Sequence, residues 1–438
     1  MLLALKRACL SILLLKFACF ALAKEPNEGP PVFFASDVLP PELREGEHFK
    51  VSPIVHVVNF GYQIKLESDY ATYDVWGPEL LKKRVKEIEA IAKLEEIGQT
   101  EAFARSFSEA LKHPLVNTWQ VARRPISTVA GIPGGIGRYL QGKFYQVKRG
   151  SEKAISRVRK KNRYNAEEEK ETDVTMRKKV TQTTSKLSRR HLGFNTAKRA
   201  WARRLKVDPY SKNQELQTAL ERIAWASSVG SFAGDYAIPS SAALGYVGRA
   251  QEIVWAKSPS QIERRIHVSL RKMGVDKQAI DYFHEMDIYS LSEKISIILA
   301  LDEMEEVDGK LEFLTLVLGA EGSEEAFLVV KMTAILEEYH RLVMPLSELS
   351  VKKGLAVGYT EEGIMILPLA LDYLHWAPLI VDTLIGEELA EQSRELWITG
   401  KASPIAAHRL EKHGWFLQEN CFDLFLSKEM DTKNLARR

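Results

Sequence analysis

A glycine-lysine motif near residue 140 has the spacing of a nucleotide-binding phosphate loop. Gly137 is followed after four residues by Gly142-Lys143, as in proteins whose loop amides and lysine bind phosphate. Such a loop also needs a buried strand before it and, after the lysine, a hydroxyl residue that holds magnesium. Here Phe144 follows the lysine, and Arg123 to Ser127 is a poor buried strand. We therefore predict a glycine-interrupted amphipathic helix and no bound nucleotide or other cofactor.

Three other groups of chemically active residues are incomplete. Glu337 and His340 have the Glu-x-x-His spacing of di-iron bundles, but those bundles need a second copy on another helix. Ser350 and Lys353 match Ser-x-x-Lys, but the companion motifs of acylating serine enzymes are missing. The last candidate is an acidic cluster, interpreted as structural: Asp372, His375, Glu387 and Glu388. No catalytic or metal-binding residue is predicted, and a triad of non-adjacent residues stays open.

The strongest local signal is an excess of basic residues in the middle of the chain. Residues 143–204 contain twenty Lys and Arg against six Asp and Glu, which leaves fourteen excess positive charges. Such clusters attract phosphate, either in nucleic acid or in anionic lipid headgroups. We predict a surface-binding site there, consisting of Arg157, Arg159, Lys160, Lys161 and Arg163. The neighbouring acidic run Glu167 to Glu169 leaves open that these charges pair with one another on a solvated helix.

The first 23 residues have the features of a secretory signal peptide. Lys6 and Arg7 precede the apolar run Ala8 to Leu15, and Ala21-Leu22-Ala23 places small residues where signal peptidase cuts. We therefore expect cleavage after Ala23 and a periplasmic or secreted protein. Export argues against nucleic acid as the partner of the basic segment, so an anionic membrane surface or a protein partner is expected.

Cleavage would change the charge and the cysteine content. The full chain has 61 Lys and Arg and 58 Asp and Glu, and the segment removed holds three basic residues and no acidic one. The mature chain would therefore be formally neutral. Cys9 and Cys19 would also be lost, which leaves Cys421 with no intrachain disulfide partner. With 45% apolar residues, we expect the chain to fold by burial rather than by disulfide bonds.

The elements that position these residues are mostly helices. Apolar residues at helical spacing dominate the chain, and an alternating pattern predicts a small antiparallel strand unit at about 49–76. Two apolar segments joined by the turn Thr360 to Gly363 predict a second such unit at about 355–371. We predict an α+β fold that is predominantly helical. The predicted division is a signal peptide (1–23), an extended leader (24–48), a strand hairpin with helices (49–145), a basic linker or surface helix (146–192), a helical domain (193–345) and a small α+β tail domain (346–438).

Local signals also predict elements of the tail. Ser403-Pro404 and His413-Gly414 delimit a short helix, a strand follows at Trp415 to Asn420, and another helix is expected over about 378–397. The apolar run Ile364 to Ile385 contains two aspartates, whose insertion cost cancels the gain from its aliphatic residues. We interpret that run as a buried strand and helix rather than a membrane span.

Two phrases resemble an uncharacterised group of exported proteobacterial proteins: Tyr70 to Glu89, and Gly193 to Gln217 with its Val-Asp-Pro-Tyr turn. The resemblance implies export and no particular activity. The sequence thus predicts a non-catalytic envelope protein that binds a membrane surface or a partner. The alternative is a hydrolase that acts on an envelope polymer through residues that are not adjacent in sequence. The oligomeric state stays open.

Overall fold

The computed structural model describes residues 27–111, 181–229 and 246–435. These residues form both helices and sheets, which confirms the α+β class. The helices are α1 (Ala35–Val38), α2 (Gly77–Gly98), α3 (Glu101–Leu111), α4 (Thr181–Leu205), α5 (Gln214–Val229), α6 (Tyr246–Ala256), α7 (Pro259–Lys272), α8 (Lys277–Glu285), α9 (Leu291–Glu303), α10 (Lys310–Gly319), α11 (Ser323–Leu342), α12 (Pro378–Leu384), α13 (Pro404–Lys412) and α14 (Cys421–Leu435). The strands are β1 (Val32–Phe34), β2 (Glu45–Gly46), β3 (Phe49–Val51), β4 (Ile54–Val58), β5 (Gly61–Ser68), β6 (Thr72–Trp76), β7 (Leu346–Lys352), β8 (Leu355–Thr360), β9 (Met365–Leu369), β10 (Tyr373–Leu374), β11 (Arg394–Ile398), β12 (Lys401–Ala402) and β13 (Trp415–Gln418).

The first sheet is antiparallel and is built around β5. Strands β4 and β3 pair with successive parts of one edge of β5, and β6 pairs with the other edge. Strands β1 and β2 extend the sheet beyond β4 and β3. Helix α2 covers one face and buries Leu81 and Ile88 against the sheet core. The residues expected to form an extended leader thus contribute β1, α1 and β2, because backbone pairing with β4 and β3 holds them in place.

A helical layer continues from α2. Helices α2, α3, α4 and α5 share one apolar core, which contains Leu94, Phe103, Trp201 and Leu220. The polar run at the end of the segment predicted as a basic linker or surface helix is part of α4, which begins at Thr181. This run contains no proline or glycine before Gly193, so the backbone can continue the helix that Trp201 anchors.

The second sheet is mixed and has the order β13-β11-β9-β8-β7. The hairpin β7–β8 and the pair β8–β9 are antiparallel, whereas β9, β11 and β13 run parallel. Strands β8 and β9 lie within the predicted range of about 355–371, but they belong to this five-stranded mixed sheet and not to a small antiparallel unit, because β9 also pairs parallel with β11. The predicted helix over about 378–397 is wrong in its second half, because Arg394–Ile398 forms the buried strand β11 between β9 and β13.

Several local predictions for the tail are confirmed. Helix α13 begins after Ser403, whose side chain accepts a hydrogen bond from the Ala406 amide. The apolar run from residue 364 forms β9 and α12, which lie in the core around the second sheet. Within the described ranges, no helix combines the length and apolarity needed to cross a bilayer. Cys421 is fully buried, so the fold keeps this thiol from reaching another chain.

Candidate functional site

The residues predicted to bind a surface lie outside the described ranges. These are Arg157, Arg159, Lys160, Lys161 and Arg163. The same holds for the glycine-lysine motif at Gly137 to Lys143 and for the predicted signal peptide. The predictions made for these segments therefore stay predictions.

The Glu-x-x-His pair on α11 makes structural contacts. Glu337 is fully buried and lies 3.8 Å from the Arg341 guanidinium. The Nδ1 atom of His340 accepts a 2.9 Å hydrogen bond from the Leu346 amide and so holds the start of β7. Burial lowers the pKa of His340. Among the described residues, no group of three or more His, Cys, Asp or Glu side chains could hold a metal ion.

The Ser-x-x-Lys pair lies at the end of β7. The Ser350 hydroxyl donates a 3.2 Å hydrogen bond to the Glu312 carboxylate. Lys353 lies in the tight β7–β8 turn, with a left-handed φ of 51°. The Lys353 ammonium lies against Gly386, whereas the Ser350 hydroxyl faces Glu312, so this arrangement does not direct the lysine at the serine hydroxyl.

The acidic cluster separates into two parts. Asp372 and His375 follow β9, whereas Glu387 is exposed in a short 3-10 helix beyond α12. Within the described part of the chain, no hydrogen bond or ion pair joins Glu387 to either residue. Asp372 and His375 are therefore the half of the cluster that a functional site could use.

Asp372 and His375 lie at the carboxyl edge of the parallel strands. Sheets with parallel strands commonly bind ligands at this edge. The segments that leave β9, β11 and β13 are joined there by backbone hydrogen bonds. Gly400 donates to the Leu371 carbonyl (2.8 Å), Lys401 to the Asp372 carbonyl (3.1 Å), and Asn420 to the Gly400 carbonyl (2.8 Å). A Cβ on Gly400 would lie 2.0 Å from the Asp372 carbonyl oxygen, so this packing requires glycine.

The β4–β5 turn of the first sheet closes this edge. Its two central residues, Asn59 and Phe60, have left-handed φ values of 46° and 68°, as two-residue hairpin turns require. The Phe60 carbonyl accepts hydrogen bonds from the amides of Asp372 (2.9 Å) and Tyr373 (3.0 Å). The Phe60 ring lies 4.7 Å from the His375 ring and belongs to the core of the second sheet.

Asp372 also binds the main chain of the first sheet. One carboxylate oxygen accepts a 2.7 Å hydrogen bond from the Tyr62 amide. Both oxygens approach the start of α2 so closely that a Cβ on Gly77 would lie 3.0 Å from each. Gly77 has a φ of +77°, a conformation that glycine adopts without steric cost. Burial raises the pKa of Asp372 to about 6, and the Tyr62 amide and Lys331 partly offset this increase.

Lys331 of α11 supplies a cation at the junction, the contact between the two sheets around Asp372. Its side chain is 14% exposed and its ammonium contacts the Glu79 carboxylate on α2. It also lies over the rings of Phe327 (5.4 Å) and Phe422 (5.1 Å). Burial lowers the pKa of Lys331 to about 8, while the charge of Asp372 acts in the opposite direction. Burial raises the pKa of the neighbouring Cys421 thiol to about 12, so this cysteine is not an activated nucleophile.

Sequence patterns single out Asp372 and His375 but give no signal for Lys331, Glu79 or Glu28. The Glu28 carboxylate accepts a 2.7 Å hydrogen bond from the Trp376 amide, one residue after His375. Lys331 was missed because a single lysine on an amphipathic helix usually faces solvent. Glu28 was missed because it lies in a proline-rich segment that was expected to have little contact with the rest of the protein. The Gly77-Pro78 helix start was the one local signal near this junction.

Comparison with known proteins gave no relative for this chain: no protein-family model, no curated protein and no solved structure matches it.

Proposed function

We propose that the protein is exported to the cell envelope and binds an anionic membrane surface or a protein partner without catalysis. The observation that carries this proposal is the closed carboxyl edge of β9, β11 and β13. The Phe60 turn fills the place where a substrate would be expected. Asp372, the best-placed acid there, has one carboxylate oxygen bonded to the Tyr62 amide.

The basic segment supports the choice of an anionic surface. Its five cationic residues can each contribute about 1 kcal/mol near an anionic lipid surface, and export would place them in the envelope. The sequence before Lys24 supports signal cleavage after Ala23. The proposal also includes a predominantly helical architecture for the whole chain, which the described helices α2 to α11 support.

Vesicle co-sedimentation tests the binding. We expect the mature protein to pellet with vesicles that contain anionic lipid, and to pellet less as salt is added, because surface charges are screened over about 8 Å at physiological ionic strength. Changing Arg157, Arg159, Lys160 and Lys161 to serine should reduce the bound fraction strongly.

A second quadruple variant controls for net charge. Lys257, Arg264, Arg271 and Lys277 are exposed on and around α7, and their change to serine removes the same four charges. This variant should bind as the unchanged protein does. Equal loss in both variants would mean that overall charge, and not the basic segment, controls binding. Equal pelleting with neutral and anionic vesicles would reject the membrane-surface proposal.

The second candidate function is hydrolysis of an envelope polymer. The observation that favours it is the pair Asp372 and Lys331, because ionisable groups with shifted pKa values cluster at active sites. These residues come from distant parts of the sequence, as this alternative requires. Release of soluble fragments from purified cell-wall polymer, lost on Asp372→Asn, would favour the hydrolase and defeat the leading proposal.

A further inference from the structure

Residues 27–34 lie as an extended segment between the second sheet and the edge of the first. The Glu28 amide donates a 2.7 Å hydrogen bond to the Trp376 carbonyl, and the Pro31 carbonyl accepts one from the Val57 amide (3.1 Å). The segment then enters β1, which pairs antiparallel with β4. Peptides that bind by adding a strand to a sheet edge are held by the same kind of main-chain pairing.

Glu28 provides a charged anchor. Its carboxylate accepts hydrogen bonds from the Trp376 amide (2.7 Å) and the Ser403 hydroxyl (2.5 Å). Ser403 caps α13, so the carboxylate lies at a helix N-terminus, where the helix dipole favours an anion. His375 is 5% exposed. Burial lowers the pKa of His375, and the charge of Glu28 acts in the opposite direction.

Phe33 provides an aromatic anchor. Its ring meets the Tyr62 ring at 6.0 Å and the Tyr373 ring at 5.0 Å, both edge to face, an arrangement that stabilises aromatic pairs. Pro30 and Pro31 lie between the two anchors. Because proline fixes φ, the segment loses less conformational entropy when it binds than a flexible peptide would.

The segment contributes little to the hydrophobic core. Val32 and Phe34 are 56% and 61% exposed, and the first buried apolar residue along the described chain is Ala35. Local opening free energies are lowest where few apolar contacts are made. Of the described residues of this segment, Phe33 is partly buried against the core of the first sheet, so detachment would uncover this contact and leave the residues that are themselves fully buried in place.

We propose that the groove formed by β4, Tyr373 and the start of α13 is a binding site for an extended peptide with a glutamate followed five residues later by an aromatic residue. Residues 27–34 occupy this groove in cis, and a protein partner with the same pattern displaces them. The residues that form the groove are different from those of the basic segment, so either proposal can fail without the other.

A labelled synthetic peptide of residues 24–36 tests the site. The mature protein with Glu28→Gln and Phe33→Ser keeps the groove but weakens its cis occupant. We expect the peptide to bind this variant at least about tenfold more tightly than the unchanged protein, in which the cis segment competes at an effective concentration of about millimolar. A peptide with glutamine in place of Glu28 should bind about 10- to 100-fold more weakly, because hydrogen bonds to charged groups are the stronger ones.

Hydrogen exchange gives a readout that does not depend on the variant folding. Saturating peptide added to the unchanged protein should speed amide exchange in Val32–Phe34 and leave exchange in β5 unaltered. Tyr373→Ser added to the Glu28→Gln, Phe33→Ser variant, in which the cis segment no longer uses the aromatic pocket, should weaken peptide binding because the pocket lacks one wall. Equal binding of the glutamate and glutamine peptides, or no change in exchange at saturating peptide, would overturn the proposal.

Discussion

Removal of the Asp372 charge should change how stability depends on pH. The pKa of this carboxyl is raised from 3.8 to about 6 in the folded protein, mainly by burial. The folded state therefore holds a proton at Asp372 more tightly than the unfolded chain does. The stability that Asp372 contributes is fully present below pH 3.8 and is lost as pH rises through 6. Asp372→Asn removes this titration and keeps an oxygen that can accept the Tyr62 amide.

The size of the effect follows from the shift. Each pKa unit corresponds to about 1.4 kcal/mol, so a shift of about two units costs the unchanged protein roughly 2 to 3 kcal/mol between pH 4 and pH 7. The variant escapes this loss. Its unfolding free energy, relative to the unchanged protein, should therefore rise by roughly 2 to 3 kcal/mol over the same range. At about 2 to 4 °C per kcal/mol for a domain of 150 to 250 residues, the relative Tm should rise by several degrees.

Thermal unfolding of both proteins at pH 4, 5, 6 and 7 measures this difference. Asp382→Asn is the matched control, because Asp382 is exposed on α12 and its carboxylate stays in water in both states. The Tm difference for the control should be the same at each pH. A relative Tm of Asp372→Asn that stays constant or falls as pH rises would refute the reasoning, since it would mean that the attraction to Lys331 outweighs the cost of burial.

Two further predictions concern the packing of α2. Gly77 and Gly363 both have φ near +80°, but only Gly77 would place a Cβ against Asp372. Gly363→Ala should lower the unfolding free energy by about 1 to 2 kcal/mol because of its backbone conformation, and Gly77→Ala should lower it clearly more. Thermal unfolding measures both losses. Equal losses would contradict the close approach of Asp372 to Gly77. Glu87 is 1% exposed and accepts hydrogen bonds from Arg84, Ser211 (2.5 Å) and Asn213 (3.0 Å). Glu87→Ala should destabilise the protein by about 3 to 5 kcal/mol, because it leaves Arg84 without its buried partner. The control Glu89→Ala, at an exposed position, should change stability by under about 0.5 kcal/mol. Similar losses for the two variants would show that the hydrogen bonds of Glu87 contribute little.

Elements defined by local chemistry were predicted well from the sequence. The short apolar runs of β8 and β9 with the turn between them, the Ser403 cap of α13 and the helical spacing of α2 are signals contained within a few residues. The region of Asp372 was also identified, because an aspartate and a histidine in an apolar run stand out. These features depend little on the rest of the fold.

The features that were missed depend on distant pairing. Arg394–Ile398 has charged residues at its start, and its strand conformation comes from pairing with β9 and β13 on either side. The junction of Asp372 and Lys331 joins residues 41 positions apart in the sequence, and the closing turn at Phe60 comes from the other sheet. No local pattern encodes these contacts, so the closed carboxyl edge could not be predicted.

The most direct test of the proposed function is the bound fraction of the mature protein as the anionic lipid content of vesicles is raised at fixed salt. We expect binding to rise steeply with anionic lipid, to be reversed by added salt, and to depend on Arg157, Arg159, Lys160 and Lys161. Binding that is absent at every lipid composition, or that is indifferent to lipid charge and salt, would contradict it.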